Sequence, residues 1–307
     1  MSEALTRLLT ELDAGGYHFT TVTPETHRRV LARRDGEAAA DWRDVFGWSL
    51  PFARELLAGP LLNALVEADA VAREGPLLRS RLRVSSLAGR LFLHSAYPTT
   101  DEDSVFFGPD TYRFVRFLEA ELADAGPVIH LVDLGAGGGP GGISAAALIA
   151  PERVTLADIN ADALRLAAAN AAAAGVEVTL VEGGLPEVDD AIDLIVANPP
   201  FIADPLGRSY RDGGKMLGAG LSFDWAIEGA RRLEPGGTML LYTGSPIVAG
   251  EDHLLGALAQ ELDELGCTLR YEELDPDIFG EELEQPAYAS AGVERIAAVG
   301  AVIRKPE

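Results

Sequence analysis

Asn198, Pro199, Pro200 and Phe201 follow directly on an apolar run, Asp193-Leu194-Ile195-Val196-Ala197. These residue types can hold a flat nitrogen group. The Asn198 side-chain oxygen can accept one N–H and the Pro199 carbonyl a second. Neither proline carries an N–H, so these carbonyls meet no competing donor and the loop is stiff. Phe201 can stack on a planar group, a contact of about 1–3 kcal/mol when that group is a base. An amide or aniline-like nitrogen is a poor nucleophile because its lone pair is delocalised, so a site that makes one react must orient it and relieve its N–H charge. Neither a general base nor a metal is called for. Pro-Pro also ends strands for purely structural reasons, but the strand, the Asn, both prolines and the ring occurring together favour chemistry.

Asp133 lies sixty-five residues before Asn198, inside Val132-Asp133-Leu134-Gly135-Ala136-Gly137-Gly138-Gly139-Pro140-Gly141-Gly142. A glycine run between an apolar strand and a helix lets backbone N–H groups approach a ligand at the helix N-terminus. By itself it does not choose a cofactor: starting at Gly137, the dinucleotide spacing is met by Gly139 and Gly142, which keeps a nicotinamide oxidoreductase open. Asp158 closes the next strand, followed by Ile159, where an acid accepts hydrogen bonds from ribose hydroxyls in either kind of site.

The order of Asp133 in D-x-G-x-G-x-G, Asp158, and the strand ending in Asn198-Pro199-Pro200-Phe201 together resemble class I S-adenosylmethionine-dependent methyltransferases. Within that class, residues 105–245 look most like the release-factor glutamine methyltransferase group and the related small-domain RNA methyltransferases. The resemblance implies S-adenosyl-L-methionine as cofactor. It places Asp133, Gly135, Ala136, Gly137, Gly139, Asp158, Ile159, Glu182, Gly183 and Asn198 around it, with Gly108 and Thr111 in a segment closing over it. It implies methyl transfer to glutamine amide nitrogen in a protein or to an exocyclic amine of a base in RNA or DNA, with Asn198, Pro199, Pro200 and Phe201 catalytic. The sequence departs from the group in three places. Phe201 stands where the glutamine-modifying enzymes usually carry Tyr, Gly184 stands near where an adenine-binding acid is common, and the first hundred residues do not look like an all-helical substrate-gripping bundle.

Elements that position these residues alternate regularly. Strands are expected at 128–134, 153–158, 176–181, 191–197, 237–243, 268–274 and 295–303, with helices near 110–124, 141–149, 161–174, 221–233 and 251–265. That pattern predicts a doubly wound α/β domain over 105–307, with seven mostly parallel strands and a hairpin at one edge. A linker over 98–103 separates it from a smaller α+β domain over 1–100, the expected substrate-recognition part. There, helices are expected at 3–14, 24–34 and 61–72, then a hairpin of 77–87 with 91–97, a resemblance to winged helices. Arg79, Arg81 and Arg83 should share a face of its first strand. The loop 203–220, with Arg208, Arg211 and Lys215, directly follows Phe201 and should contact substrate.

Composition sets the outer limits. The 307 residues are 48% hydrophobic and 24% charged, ordinary globular usage. No apolar stretch reaches the ~20 residues of a membrane span, so a cytoplasmic protein is expected. The single cysteine, Cys267, excludes an internal disulfide and a cysteine-based metal site. Twelve Arg balance twelve Asp or Glu in residues 1–100, so the whole net charge of −23 lies beyond them. A nucleic-acid partner would therefore depend on local arginines rather than on the overall field. Two rival classes remain: an NAD-type oxidoreductase, which leaves Asn198 to Phe201 without a role, and a non-catalytic cofactor-binding module, which an intact site disfavours. Oligomeric state is not encoded legibly.

Overall fold

The computed structural model describes residues 2–57, 59–99, 101–189 and 191–307. The linker expected at 98–103 includes position 100, which lies outside them.

The first part opens with α1 (Ser2–Ala14), α2 (Pro24–Leu31), α3 (Trp42–Phe46) and α4 (Pro60–Glu67). It continues through β1 (Val71–Glu74), β2 (Leu77–Ser80), β3 (Leu82–Leu87) and β4 (Arg90–Ser95). Two expectations are corrected here. The third helix stops at Glu67 because Asp69 takes a positive φ of 52° and the chain turns into β1. The single winged-helix-like hairpin is in fact two, β1 with β2 and β3 with β4. Strand character breaks at Arg81, whose N–H bonds Ala70 O while the Ser80 hydroxyl donates to Leu82 O. Arg79, Arg81 and Arg83 therefore share no face. Arg79 pairs with Glu74, Arg81 is exposed, and Arg83 is buried against Gly47 O and Thr21 Oγ1.

The second part runs α5 (Pro109–Leu122), β5 (His130–Leu134), α6 (Pro140–Ile149), β6 (Arg153–Asp158), α7 (Ala161–Ala174), β7 (Thr179–Glu182), β8 (Ile192–Ala197), α8 (Gly220–Arg232) and β9 (Leu233–Val248). It ends with β10 (Glu251–Asp252), α9 (His253–Glu264), β11 (Thr268–Asp275), α10 (Pro286–Ala291) and β12 (Val293–Arg304). Among the described residues the main sheet has eight strands in the order β11-β12-β9-β8-β5-β6-β7, with the two-residue β10 added on β9. Strands β5 to β9 run parallel, and β12 inserts antiparallel between β9 and β11.

Neighbouring residues along a strand face opposite sides, and both sides are apolar. Leu131, Leu194, Val196 and Leu240 pack toward α5, α6 and α7, whereas Val132, Ile195, Ala197 and Leu241 pack toward α8 and α9. Helix α7 is rich in alanine because it is sandwiched: Ala167 and Ala171 face the sheet while Ala163, Leu166 and Ala169 pack on the first part's core. Asn160 caps it, accepting from Asp162 N and Ala163 N at 2.9 and 3.3 Å, a cap of about 1 kcal/mol. From its middle, buried Asn170 exchanges hydrogen bonds with Leu93 of β4 and donates to Gly138 O at 2.8 Å. One side chain thus ties the first part to the glycine turn.

Candidate active site

Strand order reverses at β5, with β6 on one side and β8 on the other, and helices α6 and α8 leave toward opposite faces. A crevice at the strand C-termini is the geometric result. Its cavity measures about 360 Å³, within the roughly 300–1,000 Å³ typical of small-molecule sites.

The inner wall is the turn after β5. Gly135 N and Ala136 N both donate to Ala157 O, at 2.9 and 3.0 Å, which folds the chain back across β6. Gly135 has φ 68°, and a Cβ there would collide with the Trp225 ring. Gly137 has φ 55° and nothing within 4 Å of where a Cβ would stand, so backbone alone faces the space. Gly139 caps α6 without a side-chain hydrogen bond, leaving a helix N-terminus beside the cavity.

Two acids flank this turn. Asp133 is buried and accepts from Gly142 N at 2.6 Å. Burial pushes its carboxyl up to about 7, the Gly142 N–H opposes this, and the charge of Asp158 adds to it. Asp158 accepts from Gly137 N at 2.7 Å on one oxygen and from Asn160 N at 2.8 Å on the other. Its carboxyl is also raised by burial, against those two donors. Each oxygen keeps a lone pair for a ligand hydroxyl. Ile159, 70% exposed although apolar, lines the cavity beside it, a surface suited to a flat ring.

At the other end stand Asn198, Pro199, Pro200 and Phe201, all lining the cavity. Asn198 Oδ1 is buried and has no hydrogen-bond partner among the described residues. An acceptor left so costs about 1–3 kcal/mol, so the site holds open a place for a donor. The Phe201 ring is enclosed, resting on Gly244 and meeting Tyr242 and Phe279 edge-on at 6.5 and 5.7 Å.

The loop beyond Phe201 is held by charge. Asp204 takes Arg208 on both oxygens at 2.7 and 2.8 Å, and Arg211 pairs with buried Glu282. The guanidinium groups hold the Asp204 carboxyl down at about 2. Ser209, Tyr210 and Arg211 line the cavity, whereas Arg208 and Lys215 do not. Ser104, Val105 and Phe106 of the connecting segment line the cavity as a strap, tied down just before them where Asn160 Nδ2 donates to Asp103 O, Ser209 Oγ to Glu102 O and Tyr210 OH to Thr99 O, at 2.7, 3.1 and 2.9 Å.

The structure therefore brings together Asp133, Gly135, Ala136, Gly137, Asp158, Ile159, Gly183, Thr111 and Asn198 to Phe201 around one space. Gly108, Gly139 and Glu182 are not among the lining residues. Gly108 N donates to Thr111 Oγ1, Gly139 supports the turn from behind, and Glu182 is exposed at the end of β7. Sequence reasoning missed Trp225 and Glu228 of α8, and Phe279 and Glu282 before α10. The first pair was detectable: Leu221, Trp225 and Glu228 have helical spacing, and all three line the cavity. The second pair had no signal, because only the chain path brings it to the loop. Among the described residues no group of three His, Cys, Asp or Glu could hold a metal ion, and no helix is long and apolar enough to cross a membrane.

This sheet order, with a glycine turn and two strand-end acids at the reversal point, defines the class I methyltransferase fold. Comparison with known proteins agrees. The Methyltransferase small domain family matches residues 113–245. The release factor glutamine methyltransferase of Deinococcus radiodurans is 29% identical over 217 residues, 66% of this chain and 73% of that protein. That of Chlorobaculum tepidum is 33% identical over 141 residues, covering 41% of this chain and 48% of the relative. The human methyltransferase HEMK2 is 30% identical over 102 residues, 31% of this chain and 48% of the relative. Apart from the first, the matches thus span about half of these relatives or less. Among solved structures, Trm5b from Pyrococcus abyssi superposes with TM-score 0.51 at 16% identity, over 77% of this chain and 62% of that one, a likeness of fold. The chain is a class I S-adenosylmethionine-dependent methyltransferase related to the release factor glutamine methyltransferases.

Proposed function

We propose that this chain transfers a methyl group to a planar, conjugated nitrogen, the side-chain amide of a glutamine carried by a protein partner. The observation that carries this reading is the buried, unpartnered Oδ1 of Asn198 at the cavity wall. An acceptor in that state suits an N–H of the incoming group, and the Pro199 carbonyl suits the second. S-adenosylmethionine supplies an electrophilic methyl when bound. Asp133, the Gly135 to Gly137 backbone, Asp158 and Ile159 are the residues that would hold it: N–H groups and an acid at a helix start, an acid placed for ribose hydroxyls, and an apolar surface for a flat ring. The residues of the acceptor end orient the nitrogen and take its hydrogen bonds, and a proton leaves to solvent once the new N–C bond has formed.

A protein is favoured over a nucleic acid because most of the arginines that could have met phosphate are already engaged, with Arg33 and Arg81 left exposed. Arg28 and Arg29 pair with Glu25, Arg34 with Asp44, Arg79 with Glu74, and the loop's Arg208 and Arg211 with Asp204 and Glu282. The relatives named glutamine methyltransferases support the same choice. The test is transfer of radiolabelled methyl from S-adenosylmethionine into a cell extract, followed by separate protease and nuclease digestion. Label released by protease and recovered as methylated glutamine is expected. Label released by nuclease would replace glutamine with a base, and no label with an Asn198→Ala control indistinguishable from wild type would remove the reading.

A further inference from the structure

We propose that Glu228 reads the adenine edge of the cofactor by accepting a hydrogen bond from its exocyclic amino group; this rests on the S-adenosylmethionine reading above. The argument starts from the path of α8. Its first turn is anchored at the acceptor end, where Leu221 N donates to Gly213 O at 2.9 Å. Its middle lays Trp225 on the glycine turn. In its last turn Arg232 donates to Val188 O, just past the short turn Leu185–Glu187. The helix therefore runs along the cavity from the acceptor end toward Gly183, Gly184 and Leu185. Leu221, Trp225 and Glu228, four and then three residues apart, are the side chains it presents there. Two are apolar, and the last, at the end nearer Leu185, is a half-buried carboxylate with no hydrogen bond or ion pair to any other described residue.

The other acids at this end are engaged or turned away from the task. Asp158 spends an oxygen on each of two backbone N–H groups, Glu187 accepts from Gly184 N at 2.8 Å, and Glu182 is exposed outside the lining. A carboxylate in a mostly apolar wall is retained at a cost unless it meets a donor. It can only accept, so it selects a ring edge that offers N–H and disfavours one that offers a carbonyl. Adenine carries an amino group at that edge and hypoxanthine an oxygen. The acid that sequence reasoning sought at the end of β7 is thus supplied from the opposite wall, by α8.

The test is calorimetric binding of S-adenosylhomocysteine and of its inosine counterpart, in which oxygen replaces the 6-amino group, to the full chain. Wild type should prefer the adenosine compound by about tenfold to a hundredfold, the range of a hydrogen bond to a charged group. Glu228→Leu should bring that ratio close to one, chiefly by weakening the adenosine compound, and Glu228→Gln, which keeps an oxygen acceptor, should retain a few-fold preference. A Leu variant that folds and keeps the wild-type ratio overturns the assignment. If Leu does not fold, a Gln variant with an unchanged ratio does so instead. A wild-type chain that binds neither compound overturns the cofactor reading itself, and the two failures are told apart in one experiment.

Discussion

The two ends of the cavity are built differently. The end proposed for the cofactor is mostly backbone and strand-end acids from one stretch, Asp133 to Gly184, set on a parallel sheet and faced by Trp225 and Glu228 of α8. The end proposed for the acceptor is assembled from side chains that are remote in sequence: Asn198 to Phe201, Tyr210 and Arg211, and Phe279 with Glu282 behind it. The first kind of wall is fixed by geometry that glycine and helix starts impose on any chain. The second depends on which loops a particular chain brings together, and so it is where one member of a fold can differ from another in what it methylates.

If the ends act separately, a change at the acceptor end should cost turnover and spare binding. Asn198→Ala carries the largest expected effect: label transfer falls about a hundredfold to a thousandfold, the scale for losing one preorganised polar contact to a reacting group. Affinity for S-adenosylhomocysteine by calorimetry should stay within about threefold of wild type. Equal loss of both would merge the two ends and break the comparison.

Asp133 tests the cofactor end by pH. Its folded value of about 7 lies above the ordinary 3.8. The group therefore favours the ligand-free fold fully below pH 3.8, and that contribution is lost as pH rises through 7, on the order of 4 kcal/mol at most. Asp133→Asn has no such titration. Without cofactor, the variant should melt higher than wild type at pH 8 and show little of the decline between pH 5 and 8. Its affinity for S-adenosylmethionine at pH 8 should nevertheless fall about tenfold or more, because the carboxylate accepts stronger hydrogen bonds than the amide. A variant with unchanged affinity would mean that Asp133 only secures Gly142.

The same division explains what the sequence disclosed. Strands and helices of the second part were legible from alternation because β5 to β9 are buried on both faces, and Asp133, Asp158 and Asn198 were legible because each ends a strand at the reversal point. The first part was harder. A single Ser80-Arg81 break turns what reads as one long strand into two hairpins, and nothing in its periodicity marks that the hydroxyl of Ser80 bonds Leu82 O instead. Arg79, Arg81 and Arg83 looked like one face because spacing records position, whereas their partners depend on what is folded beside them, Glu74 for Arg79 and Gly47 O with Thr21 Oγ1 for Arg83. Asn170 was invisible amid alanines, though it joins the two parts.

That residue offers a third test. Asn170→Leu removes three hydrogen bonds and leaves Leu93 N, Leu93 O and Gly138 O without that partner. A loss of about 2–3 kcal/mol is expected in denaturant unfolding, together with weaker cofactor binding, since Gly138 belongs to the turn. If stability falls and binding does not, the first part braces the fold without shaping the cofactor end.

The smallest effect is expected at the outer wall. Glu282 is buried, pairs with Arg211 and receives the Gln285 amide, so Glu282→Gln keeps the shape and removes one charge. Among the described residues Asp204, at 3.8 Å from its Nε, is then the acid left to Arg211, and the loop it anchors is loosened by about 1 kcal/mol, at the upper end for a partly exposed pair. Cofactor affinity should not change, because no atom of this pair belongs to the cofactor end. The acceptor concentration for half-maximal label transfer should rise a few-fold while the limiting rate holds. A change in cofactor affinity instead would show that the strap, tied to this loop through Ser209 and Tyr210, transmits the disturbance across the mouth, and that the two ends are mechanically one.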